Sequence, residues 1–489
     1  MLRITAATAA DLFDIAATRR IEETAAKALP PHTLMQRAGL AVARLAMALA
    51  PHARVIWVAC GPGNNGGDGF EAAAQLQRRG FRTVVTRIGE DDRLPADAQA
   101  SLRRAQEAGV IFAETPPTHY ELAVDALLGI GSVRPPSGAM LDWLRQMASG
   151  VAPVLNIDTP SGLDADTGVL AENYLQAGSA QVRRVCLSLL TLKPGLFTAH
   201  GRDAAGEVWF DDLGIADIVE PPTARLPGIP AALLRQHASH KGSYGDVAVI
   251  GGAPGMAGAA LLAGSAALNA GAGRVFVALL DPGAPALDQV RPELMFRRAD
   301  TLDLSGMTVV SGCGGGAAVG ELLPHILRTA DTLVLDADAL NCIAADPALQ
   351  GLLKARASSG PSTVLTPHPL EAARLLGSNT GEVQRDRLAA AHELAKRFGA
   401  IVALKGSGTV IAQPDGIPVI NPTGNARLAT AGTGDVLAGM VGAALAAGLA
   451  PMAAACEAVW RHGDLADRWP DEVPLTAGAL AGGCPPVAR

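Results

Sequence analysis

Five glycines fall within nine residues in Gly61-Pro-Gly-Asn-Asn-Gly-Gly-Asp-Gly69, between a short apolar run and a helical pattern. In a parallel α/β sheet such a loop lies at the carboxyl end of a strand, where ligands bind. Its backbone N–H groups can cradle phosphate at the start of the next helix. A tight turn with Asp68 as helix cap and Glu71 as its box partner is the rival reading, but a cap alone needs far fewer glycines. Two more apolar runs end in polar residues: Asp125, leading through Gly129-Ile-Gly-Ser-Val-Arg-Pro135, and Asn156-Ile-Asp158-Thr-Pro-Ser161. Asn, Asp and Ser oxygens are hard donors, suited to an alkali or alkaline-earth cation rather than zinc. Each acid alone is as readily a turn former.

A second group lies further along. Gly432-Thr-Gly-Asp435 precedes the apolar stretch Val436–Ala447. Free N–H groups at a helix start form an anion hole, and a carboxylate beside it can take a proton from a hydroxyl that attacks a phosphoryl group. The alternative is that Asp435 only complements the helix dipole. Lys405-Gly-Ser-Gly-Thr409 follows another apolar run and can contact nucleotide phosphates through the ammonium and the backbone. His368 stands between two prolines in a rigid loop, with structural packing as its rival role. Lysine is rare here, and Lys241 and Lys405 stand beside glycine and Lys193 is separated from it by one residue, which suits a compact point charge, although abundant glycine makes such placement easy by chance.

The elements that carry these residues alternate. Strands are expected at Val55–Ala59, Thr83–Ile88, Leu122–Leu128, Val154–Ile157 and Val185–Leu190. Helices are expected from a Thr33–Gln36 capping box to about Ala50, from about Gly69, and near Ala96–Ala108 and Ala139–Met147. A second series follows at Val247–Ile250, Val275–Leu279, Thr308–Ser311, Thr332–Asp336, Thr363–Leu365 and Ile401–Leu404. Such alternation predicts mostly parallel sheets covered on both faces. The proline-rich stretch Glu220–Pro230 reads as a linker, so the chain divides into residues 1–215, a linker 216–235, and residues 236–489.

Composition narrows the classes. Hydrophobic residues are 49% and charged residues 18% of 489, a globular balance with ample core. A net charge of −7 gives no footprint for nucleic acid or an anionic membrane. Six scattered cysteines show no metal or disulfide spacing, and no signal segment is apparent, so a cytoplasmic protein is expected. The charge-free stretches Val247–Gly273 and Val436–Cys456 are rich in Ala and Gly, which suits core helices rather than membrane spans.

Gly61–Gly69, Asp125 with Gly129–Pro135, and Asp158–Gly162 resemble the NAD(P)H-hydrate epimerase domain. Gly251-Gly252, Asp336-Ala-Asp338, Lys405–Thr409 and Asn421–Asp435 resemble the ADP- or ATP-dependent NAD(P)H-hydrate dehydratases. The resemblance implies a Rossmann-like three-layer αβα domain followed by a ribokinase-like αβα domain. It implies that the hydrated dinucleotide is held by Asn64, Asn65, Gly66, Gly67, Asp68, Gly129, Ile130, Gly131, Ser132, Val133, Arg134 and Pro135. Asp158 would be the epimerase acid–base, with Lys193 a second candidate, and Asn65, Asp125 and Ser161 would hold potassium. In the second half Lys405, Gly406, Ser407, Gly408, Thr409 and Gly434 would bind nucleotide. Ala259, Gly314, His368 and the catalytic Asp435 would face the hydrate, with magnesium assisting. The dehydratase pattern departs at Gly312-Cys-Gly-Gly-Gly316 and Asn425–Ala429. The expected partners are hydrated NADH or NADPH and ADP or ATP, in a homo-oligomer. The rival reading is a vitamin-precursor kinase fused to a non-catalytic dinucleotide-binding module.

Overall fold

A computed structural model describes the chain except for residues 132–134, 172–181, 217, 232–235, 285, 361 and 484–489. It divides into two compact units, Met1–Arg225 and Leu226–Arg489. The stretch read as a linker contains a strand, Ala224–Pro227.

The first unit is built on an eight-stranded sheet. From one edge, its order is Leu2–Arg3, Glu207–Asp211, Arg184–Leu189, Val154–Ile157, Leu122–Ala126, Val55–Cys60, Arg82–Arg87, Ile111–Ala113. The edge pair Leu2–Arg3 with Glu207–Asp211 is antiparallel and every other pairing is parallel. Strand Val55–Cys60 is apolar along its length because both of its faces are covered. Ile56, Val58 and Cys60 pack with helices Ile15–Ala28, Thr33–Leu49 and Asn64–Arg78. On the strand's other face the Trp57 indole donates to Thr86 Oγ1 at 2.8 Å and meets Tyr120 edge-on. The chain leaves this strand to one side and returns on the other at Leu122–Ala126, so a crevice opens between their carboxyl ends.

Two local expectations fail. Helix Thr33–Leu49 has His32 as its N-cap, in the left-handed region at φ 65° and without a side-chain cap bond, so the Thr33–Gln36 box does not form. The glycine-rich stretch is not a loop preceding a helix at Gly69; Asn64 already opens the helix. Four of its glycines, at 61, 66, 67 and 69, serve close packing. A Cβ on Gly66 would lie 2.0 Å from the Gly61 carbonyl oxygen, and one on Gly69 would lie 2.5 Å from Ala126 Cβ. Asp68 therefore sits inside the helix and caps nothing.

In the second unit the strands run Met295–Phe296, Arg274–Leu279, Asp246–Gly251, Thr308–Ser311, Thr332–Leu335, Ser362–Leu365, Ile401–Leu404, Val410–Ala412, Val419–Ile420. Pairing is parallel up to Ile401–Leu404, and the last two strands join antiparallel. Alternate residues feed two cores. Val247, Val249, Val310 and Val334 pack under helices Ala257–Asn269, Thr433–Ala446 and Pro451–Asp467. Ala248, Ile250, Val309 and Leu333 pack under Ala318–Thr329, Pro347–Ser359 and Arg387–Phe398. Helices Ala257–Asn269 and Thr433–Ala446 approach so closely that a Cβ on Gly439 would stand 2.1 Å from the Ala263 carbonyl oxygen. The charge-free stretches are thus core strands and helices; among the described residues no helix is long and apolar enough to cross a membrane. Both units are α/β with helices on the two faces of a mostly parallel sheet.

Candidate active sites

The first site lies at the crevice of the N-terminal unit. A cavity of about 670 Å³ is lined there by Asn64, Asn65, Asp68, Gly129, Ile130, Gly131, Asp158 and Lys193 among others. Gly66 and Gly67 stand behind this wall, packed against Gly61 and against Met35 and Ala98. Pro135 is exposed and not part of the lining, and Ser132, Val133 and Arg134 lie outside the described residues.

Asp158 follows strand Val154–Ile157 with φ 64°, and the Thr159 N–H donates across it to the Ile157 carbonyl at 2.8 Å. This is a γ-turn, a strained conformation for a residue with a side chain. The neighbouring strand end repeats it at Leu190, φ 64°, where the Thr191 N–H donates to Leu189 O at 2.7 Å. These paired turns hold Lys193. Its side chain is 0% exposed and pairs with Asp158. The ammonium also donates to Leu189 O at 2.8 Å and Thr191 O at 3.0 Å. Solvation, the rival reading of Lys193, is excluded. The Asp68 carboxyl is pushed well above the usual range by burial, with Asp158, Glu22, Glu71 and Asp97 adding to the effect. Glu22 and His32 also line this wall, and no motif marks them in the sequence.

Asp125 and Ser161 form a buried oxygen cluster. Ser161 Oγ donates to Asp125 Oδ1 at 2.6 Å, and the Ser161 N–H donates to Oδ2 at 3.0 Å. The Leu128 N–H donates to Ser161 Oγ at 2.8 Å. Asn65 is buried, its Nδ2 has no hydrogen-bond partner, and its side chain lies where a Cβ on Gly129 would come within 3.3 Å. A buried amide N–H without a partner beside a cavity suits a hydrogen-bond acceptor on a bound molecule. Burial raises the Asp125 carboxyl, and the Ser161 and Leu127 hydrogen bonds oppose the rise. The donor set is hard and oxygen-rich, as an alkali cation requires.

The second site gathers on five parallel strand ends of the C-terminal unit, which carry Gly252, Gly312–Gly316, Asp336, His368 and Lys405. Helix Thr433–Ala446 points its first turn into them. Gly432 caps it with φ 89°, and Asp435 lies in that turn. Lys405 Nζ donates to Asp336 Oδ1 at 2.5 Å. A Cβ on Gly434 would stand 3.2 Å from that ammonium, so only glycine leaves the approach open. Ligand atoms of Cys313, Asp336 and Asp435 lie within 4.8 Å of one another. Burial first, then the charge of Asp336, raises the Asp435 carboxyl to about 6.

Around this cluster Gly314 (φ 57°) packs on Ala259; a Cβ on Gly314 would lie 2.9 Å from the Ala259 Cβ. The Gly316 N–H donates to Asp338 Oδ2 at 2.8 Å and pins the glycine loop. His368 caps helix Pro369–Leu376, its Nδ1 accepting from Leu370 N at 3.1 Å and Glu371 N at 3.2 Å. The structural role set against a ligand-facing one at His368 is therefore present, as a helix cap. Glu371 returns to the His368 N–H at 2.8 Å and is raised to about 7, chiefly by burial. In the loop after Lys405, Thr409 Oγ1 donates to Gly406 O at 3.2 Å. Sequence reasoning quoted Asp336 only within the Asp336-Ala-Asp338 motif and gave no role to it or to Glu371. The adjacency of Asp336 to Lys405 spans 69 positions and leaves no local signal.

Fold and sites together define a two-unit α/β enzyme: a crevice of about 670 Å³ with an acid–lysine pair, and a cluster of carboxylates and a lysine beside the glycine-flanked start of a helix. Residues 247–481 match the family described as NAD(P)H-hydrate dehydratase, and residues 31–195 match the YjeF-related protein N-terminus. The bifunctional NAD(P)H-hydrate repair enzyme Nnr of Escherichia coli is 36% identical over 470 residues, covering 92% of this chain and 88% of the relative. The ADP-dependent (S)-NAD(P)H-hydrate dehydratase of Neisseria meningitidis is 44% identical over 262 residues, 52% of this chain and 87% of its own. A solved ADP/ATP-dependent NAD(P)H-hydrate dehydratase from Bacillus subtilis, co-crystallised with ATP/Mg2+, is 32% identical, with a TM-score of 0.43 and 52% and 91% of the two chains covered. The chain belongs to the family of bifunctional NAD(P)H-hydrate repair enzymes. The kinase reading is not favoured.

Proposed function

We propose that the N-terminal unit interconverts the R and S hydrates of NADH and NADPH. The C-terminal unit then dehydrates the S hydrate at the expense of ADP or ATP. The single observation that carries this reading is Asp435, raised to about 6 in the first turn of a helix whose glycine-rich start adjoins Lys405. A base of that strength is ionised at neutral pH yet basic enough to accept a hydroxyl proton.

In this reading Asp435 takes the proton from the hydrate hydroxyl as its oxygen attacks the terminal phosphoryl group. The amides at the helix start and Lys405 balance the developing charge. The phosphorylated oxygen then leaves as phosphate, expelled by the ring nitrogen lone pair, and the adjacent ring carbon sheds a proton to restore the dihydronicotinamide. Lys405 and the Gly406–Thr409 loop bind the nucleotide, while Ala259, Gly314 and His368 face the hydrate. Asp336 and Asp435 offer the hard oxygens that suit magnesium, which would supply charge neutralisation on the phosphates. In the epimerase unit Asp158, oriented by Lys193, takes the hydroxyl proton as the carbon–nitrogen bond of the hemiaminal opens to an aldehyde and the ring nitrogen is protonated, and returns it when the ring recloses on the other face. Asn64–Asp68 and Gly129–Pro135 hold the dinucleotide. Asn65, Asp125 and Ser161 fit potassium, which would supply a fixed positive charge at the crevice. The free cysteines among the described residues suit a reducing, cytoplasmic setting.

The test supplies a mixture of R and S hydrates with ADP or ATP and follows recovery of reduced-nicotinamide absorbance. The parent chain restores both epimers. Asp158→Asn stops near the S fraction, and Asp435→Asn restores neither at the parental rate. Accumulation of a stable phosphorylated alcohol in place of the coenzyme overturns the reading in favour of a kinase.

A further inference from the structure

Arg387, the first residue of helix Arg387–Phe398, is 1% exposed although it carries a charged side chain. Burying a guanidinium is costly unless its donors are used. Here they are used on one loop and on the preceding helix Thr380–Arg385. Nη2 donates to Leu404 O at 3.0 Å and to Lys405 O at 3.2 Å, while Nη1 donates to Gln384 Oε1 at 2.7 Å. Arg387 therefore grips, from inside the unit, the two carbonyls where strand Ile401–Leu404 turns into the Lys405–Thr409 loop.

The consequence follows from peptide geometry. Among the described residues all peptide bonds are trans, so C=O and N–H of one peptide unit point in opposite directions. With the Lys405 carbonyl held on the guanidinium, the N–H of the same peptide, which belongs to Gly406, faces away from Arg387. Gly406 is exposed, and its N–H has no hydrogen-bond partner among the described residues. The Lys405 N–H, by contrast, is already bonded to Pro367 O at 2.9 Å. Gly406 has φ 143°, and a Cβ there would lie 2.8 Å from Arg387 Nη1. The guanidinium thus also accounts for why this position is glycine.

We infer that Arg387 is a positioning residue for nucleotide binding: it locks the Lys405–Gly406 peptide so that the Gly406 N–H is presented to a phosphate oxygen of the nucleoside di- or triphosphate. The inference rests on the reading that the nucleotide binds at this loop. Arg387 itself touches no substrate. Without its grip the peptide is free to flip, replacing a donor with a carbonyl oxygen that repels phosphate.

Arg387→Lys keeps a cation of similar length but cannot span both carbonyls and Gln384 as a planar fork does. Losing one charge-assisted N–H contact corresponds to about ten-fold weaker binding. The KM and calorimetric Kd for ADP are expected to rise about ten-fold in Arg387→Lys, with kcat within about two-fold of the parent. Arg387→Met should give at least the same shift wherever it folds, as judged by thermal unfolding. Gly406→Ala serves as the control for the loop itself. If Gly406→Ala weakens ADP binding while Arg387→Lys does not, the positioning role is overturned and the loop reading stands. If neither variant changes ADP binding, the nucleotide sits elsewhere and both fall. A lowered melting temperature with an unchanged KM for ADP also overturns the inference, since that is what a purely structural arginine would give.

Discussion

The sharpest prediction concerns how dehydration depends on pH. Asp435 must be ionised to accept a proton, and its carboxyl stands at about 6 rather than the ordinary 3.8, raised by burial and by Asp336. A base titrating there is about 90% ionised at pH 7 and about 10% at pH 5, so activity should fall roughly ten-fold across that interval. An unperturbed aspartate would remain about 90% ionised at pH 5, and the profile would be nearly flat. Initial rates of S-hydrate dehydration, read as kcat/KM from reduced-nicotinamide absorbance, report the free enzyme. Asp336→Asn removes one of the causes and should slide the acid limb to lower pH. Glu371, raised to about 7, titrates nearby, and Glu371→Gln should leave the limb near 6 in place. Removing a general base costs about 10²–10⁴ in rate, which is the loss expected of Asp435→Asn. A flat profile between pH 5 and 7, or an Asn variant within a few-fold of the parent, would refute the assignment.

Three further outcomes follow from the same geometry. Because folding raises the Asp435 carboxyl, its contribution is a penalty that grows as pH rises from about 4 to 6, of roughly 3 kcal/mol at most. Asp435→Asn should therefore be more stable than the parent to urea at pH 7, and a less stable variant contradicts this. His462 is buried and held near 4, and its Nε2 donates to the Thr433 carbonyl at 2.9 Å. It contributes stability that disappears as pH falls from its ordinary 6.5 towards 4; His462→Phe should lose that acid dependence and cost about 1–3 kcal/mol at pH 7 by orphaning the carbonyl. Ser161→Ala removes the 2.6 Å bond to Asp125 and should slow R/S exchange about ten-fold or more. Dehydration of pure S hydrate by that variant should be unchanged, and a parallel loss in both activities would disprove the division of labour.

Much of the architecture was legible because it depends on local patterns. Runs such as Val55–Ala59, Val247–Ile250 and Ile401–Leu404 are buried on both faces, and a strand so placed must be apolar throughout. Errors came where local grammar has two meanings. Glycines at 66, 67 and 69 read as part of a ligand-binding loop, but a helix packed tightly on a strand and on neighbouring helices needs them as much, because its backbone must come close. Thr33 had the right spacing for a cap, yet His32 took the position in a left-handed conformation. The strand Leu2–Arg3 carries too few residues for a periodic signal and is held by its pairing with Glu207–Asp211, which the Arg184–Leu189 strand holds in turn.

The positions of strands along the chain, the placement of glycines and the acids at strand ends are written locally, since dihedral preference and side-chain period act over a few residues. Which of those acids meet a cation, and how strongly each holds its proton, belongs to the folded chain alone. Asp158 finds Lys193 across 35 positions and Lys405 finds Asp336 across 69, because parallel strands bring their carboxyl ends to one edge in an order unlike that of the chain. Burial then sets the charge: the carboxyl at 435 is raised to about 6 only once Asp336 and the apolar body of its helix surround it, and no stretch of sequence contains that environment.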